Sequence, residues 1–184
     1  MGEVVSTETQ LLTSIKKCDQ KYQVFLFHLS STIMAQQSSS PSGPITVENK
    51  ATVKLFLEQV RSGKQPENAV SFMADTVLAH QMNAEEQTTV KRTPQNYTDH
   101  INEFLKMYGN FSFEITELMA DGDKVYTRWK QTGKHLAEID GYEPTGKPLT
   151  EIASCVYRLE SGKIIEYWIQ IDRLGFEKQL QHSR

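Results

Sequence analysis

The sequence lacks several features that would reveal a function directly. It has two cysteines in 184 residues, Cys18 and Cys155, too few for a disulfide framework or a cysteine-based metal site. Its net charge is −3, with 20 basic and 23 acidic residues interspersed, so no basic face indicates nucleic acid as a partner. It has no Gly-rich phosphate loop and no internal repeat. We therefore expect neither a nucleotide cofactor nor a metal.

Long hydrophobic runs are also absent, so no transmembrane helix is predicted. The first 43 residues contain three lysines between positions 16 and 21, the short apolar stretch 24–29, and then Ala35. This order is typical of a secretory signal peptide, although His28 interrupts the apolar stretch. A signal peptide at 16–35 would make the protein secreted or periplasmic. The alternative is a cytoplasmic extension. Residues 36–44 (QQSSSPSGP) are typical of a linker.

A single domain is predicted over residues 44–184, and it begins with helices. A helix capped by Thr46 carries one apolar stripe and ends near Gly63. A shorter helix runs from Pro66 to about Met73, and residues 76–81 form a short strand. The next helix has the strongest boundary signals, which are the N-cap Thr93, Pro94 at its first position and the terminator Gly109.

Long strands follow the helices. The turn 121–123 (DGD) joins a strand beginning at Phe111 to its partner 125–133, and Ser161-Gly162 joins strands 150–160 and 163–172. Residues 174–180 suggest a closing helical turn. Helices followed by antiparallel strands predict an α+β fold with the helices covering one face of a sheet.

Five segments stand out along the domain. They are 72–77 (FMADTV) leading to His80, 120–129 (ADGDKVYTRW), 132–135 (TGKH), 141–147 (GYEPTGK) and 162–168 (GKIIEYW). In this order they resemble the SnoaL-like polyketide cyclase family, within the nuclear transport factor 2-like superfamily. The resemblance implies a cone-shaped roll in which a curved, mostly antiparallel sheet wraps around about three helices and an internal cavity. It further implies a small-molecule ligand, cofactor-free acid/base chemistry of the aldol type, and pairing into homodimers or higher oligomers.

The resemblance also implies an Asp near the end of the last strand as the acid/base group, which here is Asp172. A carboxylate in a dry pocket has a raised pKa and can exchange protons near neutral pH. The alternative role for Asp172 is the N-cap of the closing helix. His80 and His135 are the other catalytic candidates, to orient the substrate or shuttle protons. Their alternatives are a hydrogen-bonded wall residue and an exposed loop residue.

Strand alternation places Trp168 and Gln170 on the face of Asp172, and groups Trp129 with Gln131 on an earlier strand. With Phe104 and Tyr108 from the third helix, these residues form the expected substrate pocket. For the two helix residues, simple core packing is the alternative.

Two functions follow as hypotheses. The first is a cyclase or isomerase acting on a small, largely apolar carbonyl compound. The second is a non-catalytic ligand-binding or dimeric scaffold module, whose pairing face would hold residues such as Tyr157, Tyr167 and Ile169.

Overall fold

The structure, a computed structural model, describes residues 43–182. The predicted leader and linker lie outside the described residues, apart from Gly43 and Pro44. Within 43–182, no helix combines the length and apolarity needed to cross a bilayer.

Residues 43–182 form four α-helices. Helix α1 spans Pro44–Phe56 and continues into a π-helical turn, Leu57–Arg61. A 3₁₀ turn, Pro66–Asn68, leads into the short helix α2, Ala69–Phe72. Helix α3 spans Pro94–Tyr108 and has the predicted ends. The Thr93 hydroxyl accepts a hydrogen bond from the Asn96 backbone N–H at 3.2 Å, and Gly109 has the positive φ of 66° that glycine adopts without strain. Helix α4, Arg173–His182, closes the chain.

Six strands form one sheet in the order β2-β1-β6-β5-β4-β3. Their ranges are β1 Met73–Gln81, β2 Thr88–Arg92, β3 Ser112–Asp121, β4 Lys124–Lys134, β5 Pro148–Glu160 and β6 Lys163–Ile171. All neighbouring pairs are antiparallel except β1 and β6, which are parallel. Both predicted hairpins are confirmed. Strand β2 was not predicted, because its short sequence TTVKR does not alternate between apolar and polar residues. In the structure none of its five residues is fully buried.

Helices α1 and α3 pack against the inner face of the sheet. Val53, Phe56, Leu57, Val60 and Ile101 are fully buried there, and the Phe56 ring meets the Tyr157 ring of β5 edge-on at 5.7 Å. Burying each such aliphatic or aromatic side chain contributes about 1.5–3 kcal/mol. The α+β prediction is confirmed, and the inner face of the sheet forms the wall of the site.

Candidate functional site

A cavity of about 120 Å³ lies between α3 and the inner face of the sheet. It is more enclosed than the wider surface grooves elsewhere on the domain, and most of its lining side chains are polar, ionisable or aromatic. The lining residues are Arg61, Gln81, Arg92, Tyr97, His100, Phe104, Tyr157, Tyr167, Ile169 and Ile171.

Arg61 ends the π-helical turn and is almost fully buried, with 3% of its surface exposed. Its Nη1 donates a hydrogen bond to Gln131 Oε1 at 2.6 Å, and its Nη2 donates to Glu151 Oε1 at 2.9 Å. Its guanidinium also lies 5.0 Å from the centre of the Phe104 ring and 5.3 Å from that of Trp129. The ion pair compensates the charge of Arg61 and fixes the group in place.

Arg92 is the second cation at the cavity and lies at the end of β2, directly before α3. Within residues 43–182 it has no carboxylate within ion-pair distance. Its Nε is buried and has no hydrogen-bond partner there. The cavity therefore carries one positive charge that no described side chain compensates.

His100 lies on α3 beside these two cations. Burial lowers the pKa of its imidazole, and the charges of Arg92 and Arg61 lower it further, to about 4. The imidazole packs against Phe104 with ring centroids 4.4 Å apart. At neutral pH His100 is therefore uncharged and able to accept a proton.

Three tyrosines complete the polar lining. Burial raises the pKa of Tyr167 to about 12, although Arg92 acts in the opposite direction. Burial also raises the pKa of Tyr97 and Tyr157 well above the ordinary range. All three phenols stay protonated at neutral pH, so they supply O–H groups without negative charge.

The residues predicted on the face of Asp172 lie outside this cavity. Alternation along β6 holds, but its inner face carries Tyr167, Ile169 and Ile171. Trp168 stacks on His80 on the opposite face, and Gln170 is exposed in an outer groove. The pocket positions predicted for Trp168 and Gln170 are therefore wrong, as is the outer position expected for Tyr157, Tyr167 and Ile169. Alternation separates two faces without showing which one meets the helices.

Asp172 is exposed and begins α4. Its Oδ1 accepts a hydrogen bond from the Gly175 backbone N–H at 2.9 Å, and its carbonyl accepts from the Phe176 N–H at 3.1 Å. This is the N-cap geometry that the sequence left as the alternative. The expectation of a dry environment for Asp172 is wrong, since the chain leaves the sheet at this residue and turns outward.

Replacing Asp172 by alanine is expected to lower the free energy of unfolding by about 1 kcal/mol, because the first turn of α4 loses its capping acceptor. Asp172→Asn keeps a side-chain oxygen that caps helices about as well as aspartate does. It is expected to lower the free energy of unfolding by less than half as much as the alanine change. Urea unfolding of both variants measures the difference. Equal stability of the alanine variant and the unmodified chain would contradict the capping role.

His80 also lies on the outer face of the sheet. Its Nε2 pairs with Glu166 Oε1 at 2.9 Å, and its Nδ1 pairs with Thr89 Oγ1 at 2.8 Å. Burial opposes ionisation of Glu166, but hydrogen bonds from His80 and Arg158 hold the pKa of its carboxyl below the usual range. His80 thus belongs to a polar network across β1, β2, β5 and β6, and it has no contact with the cavity.

The remaining predicted residues lie inside the domain, but only one of them lines the cavity. Phe104 is on the cavity wall, whereas Tyr108 packs on Phe104 and on Phe176 of α4. Trp129 and Gln131 are buried behind Arg61. His135 is 1% exposed, with Nδ1 3.4 Å from Thr145 Oγ1, and it does not line the cavity. It is buried, whereas the sequence left an exposed loop position as the alternative.

The sequence reasoning missed Arg61, Arg92 and His100. A signal was present for His100, which is three residues after Tyr97 and four before Phe104 and so borders the apolar stripe of α3. Arg92 gave none, because its strand was not predicted. No cluster of three or more His, Cys, Asp or Glu suited to a metal is found in the described part of the chain.

One comparison with known proteins identifies the family. The model of the SnoaL-like polyketide cyclase family matches residues 51–180, while no curated protein matches the chain. A provisionally assigned polyketide cyclase from Acidithiobacillus ferrooxidans is similar in structure, with a TM-score of 0.65, 24% identity, and coverage of 74% of this chain and 96% of that one.

Two further structures are similar. IdmH, a provisionally assigned polyketide cyclase from Streptomyces antibioticus, has a TM-score of 0.61, 23% identity, and coverage of 72% of this chain and 98% of that one. An LEH-like epoxide hydrolase from M. tuberculosis has a TM-score of 0.57, 16% identity, and coverage of 76% and 94%. At these identities the structural likeness supports the fold alone.

Proposed function

The chain belongs to the SnoaL-like polyketide cyclase family, and on that premise we propose that it is a cofactor-free acid/base enzyme that enolises a small carbonyl compound in the cavity. The reacting group is a C–H bond next to a carbonyl. An enzyme that breaks this bond needs a base near the carbon and positive charge or O–H donors near the oxygen.

His100 is the proposed base. Its imidazole is neutral at working pH, lines the cavity and makes no hydrogen bond to any described residue that would occupy its nitrogens. A ring nitrogen accepts the substrate proton, and the C–H electron pair moves into the enolate. The imidazolium then returns the proton to carbon or to oxygen, so the enzyme ends each cycle unchanged.

The enolate oxygen is stabilised by groups that are in place before the reaction. Arg61 is fixed by Glu151 and Gln131, and the protonated phenols of Tyr157 and Tyr167 line the same cavity. Groups held rigidly in a water-poor site stabilise developing charge without reorganising. The free-energy cost of burying the Arg61 guanidinium arises when the protein folds, so it does not add to the activation free energy of the reaction.

The size of the cavity restricts the substrate. Pockets for drug-sized ligands measure about 300–1,000 Å³, and this cavity measures about 120 Å³. A compound of a few carbons fits that volume, whereas a fused aromatic ring system does not. The proposed substrate is therefore a small carbonyl compound.

The observation that carries the proposal is the neutral His100 beside two arginines in one enclosed cavity. The test is exchange of the C3 hydrogens of 2-oxobutanoate and 2-oxobutanamide for deuterium, followed by NMR in D₂O. The protein is expected to accelerate exchange of at least one compound by about 10²-fold or more over buffer.

A matched pair of variants links exchange to the cavity. Ile169→Phe puts a larger, aromatic side chain on the cavity wall and leaves less room for the substrate. The rate of exchange is expected to fall by about tenfold or more, which corresponds to roughly 1.4 kcal/mol of lost binding free energy. Ile152→Phe is the same change on β5 at an exposed site and is expected to leave exchange intact. Retained binding of either compound without any exchange would contradict the enzyme and favour a ligand-binding module.

A further inference from the structure

We infer that the substrate is a small monoanionic oxo acid, whose carboxylate binds Arg92 while its carbonyl lies between His100 and Arg61. This inference rests on the proposed function, and it adds the chemical class of the substrate. The supporting observation is the cation on the cavity wall that has no counter-charge among the described residues.

The positive charge at Arg92 is not neutralised from any side of the cavity. Glu151 on β5 is engaged by Arg61 through a 2.9 Å ion pair. Tyr157 and Tyr167 are protonated phenols, since burial raises the pKa of each. His100 on α3 is uncharged at neutral pH. The Tyr167 phenol forms a hydrogen bond with the Arg92 guanidinium but carries no negative charge. The buried Nε–H of Arg92 has no acceptor among the described residues, which is energetically costly until one arrives.

A carboxylate suits this position better than other acceptors. The planar guanidinium of arginine presents parallel N–H donors that match the two oxygens of a carboxylate. One unit of positive charge is uncompensated, so one negative charge balances the cavity. Phosphate carries up to two negative charges at neutral pH and would leave an excess. The 120 Å³ volume also favours a compact acid.

Binding of the acid would also strengthen the base. Besides burial, the charges of Arg92 and Arg61 hold down the pKa of His100. Besides the two arginines, the ionisable groups that line the cavity with His100 are Tyr97 on the same helix, Tyr157 on β5 and Tyr167 on β6, and Glu151 on β5 is paired with Arg61. None of them offsets Arg92, so a carboxylate there would remove repulsion of the imidazolium. The pKa of His100 is expected to rise on binding.

The experiment compares 2-oxobutanoate with 2-oxobutanamide, which has nearly the same shape but no charge, by calorimetric titration at pH 7. The unmodified chain is expected to bind the acid about 10- to 100-fold more tightly than the amide. Arg92→Gln should abolish that preference. Lys91→Gln removes the same charge from the adjacent exposed residue of β2 and should preserve it.

Four results would overturn the inference. The unmodified chain could bind the amide as tightly as the acid or more tightly, or it could bind neither compound. The preference for the acid could survive in Arg92→Gln, or inorganic phosphate could compete as strongly as the acid does. A histidine titration by NMR adds a second readout, in which the acid but not the amide raises the pKa of His100.

The two proposals can fail separately. If the acid binds through Arg92 but deuterium exchange stays at the buffer rate, the ligand class stands and the enzymatic function falls. If the amide exchanges and binds as well as the acid, the enzymatic function stands and the anionic substrate falls.

Discussion

Replacing Glu151 by alanine is expected to lower the free energy of unfolding by about 3–5 kcal/mol. The substitution leaves Arg61 charged in a site where its side chain is 4% exposed. Gln131 and the neighbouring aromatic rings remain as partners, but none of them carries a negative charge. The cost is therefore mainly that of an uncompensated buried cation, and urea unfolding measures it.

A surface ion pair supplies the matched control. Glu117 pairs with Arg128 at 2.8 Å, but the two side chains are 41% and 45% exposed. Water and salt screen this pair, so Glu117→Ala is expected to cost less than about 1 kcal/mol. The double variant Arg61→Met/Glu151→Leu removes both buried charges and should cost less than the sum of the two single changes. A loss in Glu151→Ala no larger than in Glu117→Ala would rule out a buried ion pair at Arg61.

Replacing His100 by glutamine is expected to reduce the rate of deuterium exchange by about 10²- to 10⁴-fold, the usual contribution of a general base. Glutamine can still form hydrogen bonds but cannot accept a proton at neutral pH. The same change at His182, an exposed residue in the last turn of α4, is the control and should leave the rate unchanged. An unaltered rate in His100→Gln would eliminate this residue as the base.

The pH dependence gives His100 a signature of its own. A base acts in its neutral form, so kcat/KM for exchange should be level above pH 6 and fall on acidification through the low pKa of about 4. An ordinary histidine would lose activity below about pH 6.5. The residual activity of His100→Gln should not fall on acidification in this range. If the fall in kcat/KM persists in this variant, the titrating group is a residue other than His100.

Local signals predicted the ends of α3 and the hairpin turns, but the predicted cap at Thr46 is wrong, because α1 begins at Pro44 and Thr46 lies within its first turn. The turn at Gly122 and the cap pair Thr93 and Gly109 mark their elements through backbone conformation alone, without reference to distant segments. Strand β2 was not predictable in this way. This strand forms because its backbone pairs with β1. Its side-chain sequence does not indicate that pairing.

The candidate site was predictable only in part, as Asp172 and His80 demonstrate. Alternation along β6 was correct, yet it could not show which face covers α1 and α3, so Trp168 and Gln170 were placed inside. Asp172 had two roles consistent with its sequence. The geometry at Gly175 supports the cap.

The sequence by itself determined the family, the α+β class, the long hairpins and the ends of α3, because caps, turns and alternation act over a few residues. Tertiary structure decided which face of β6 lines the cavity and brought Arg61, Arg92 and His100 together from three separate elements. The charge balance and the lowered pKa of His100 depend on those distances and on burial. Both arise only when remote segments pack against each other.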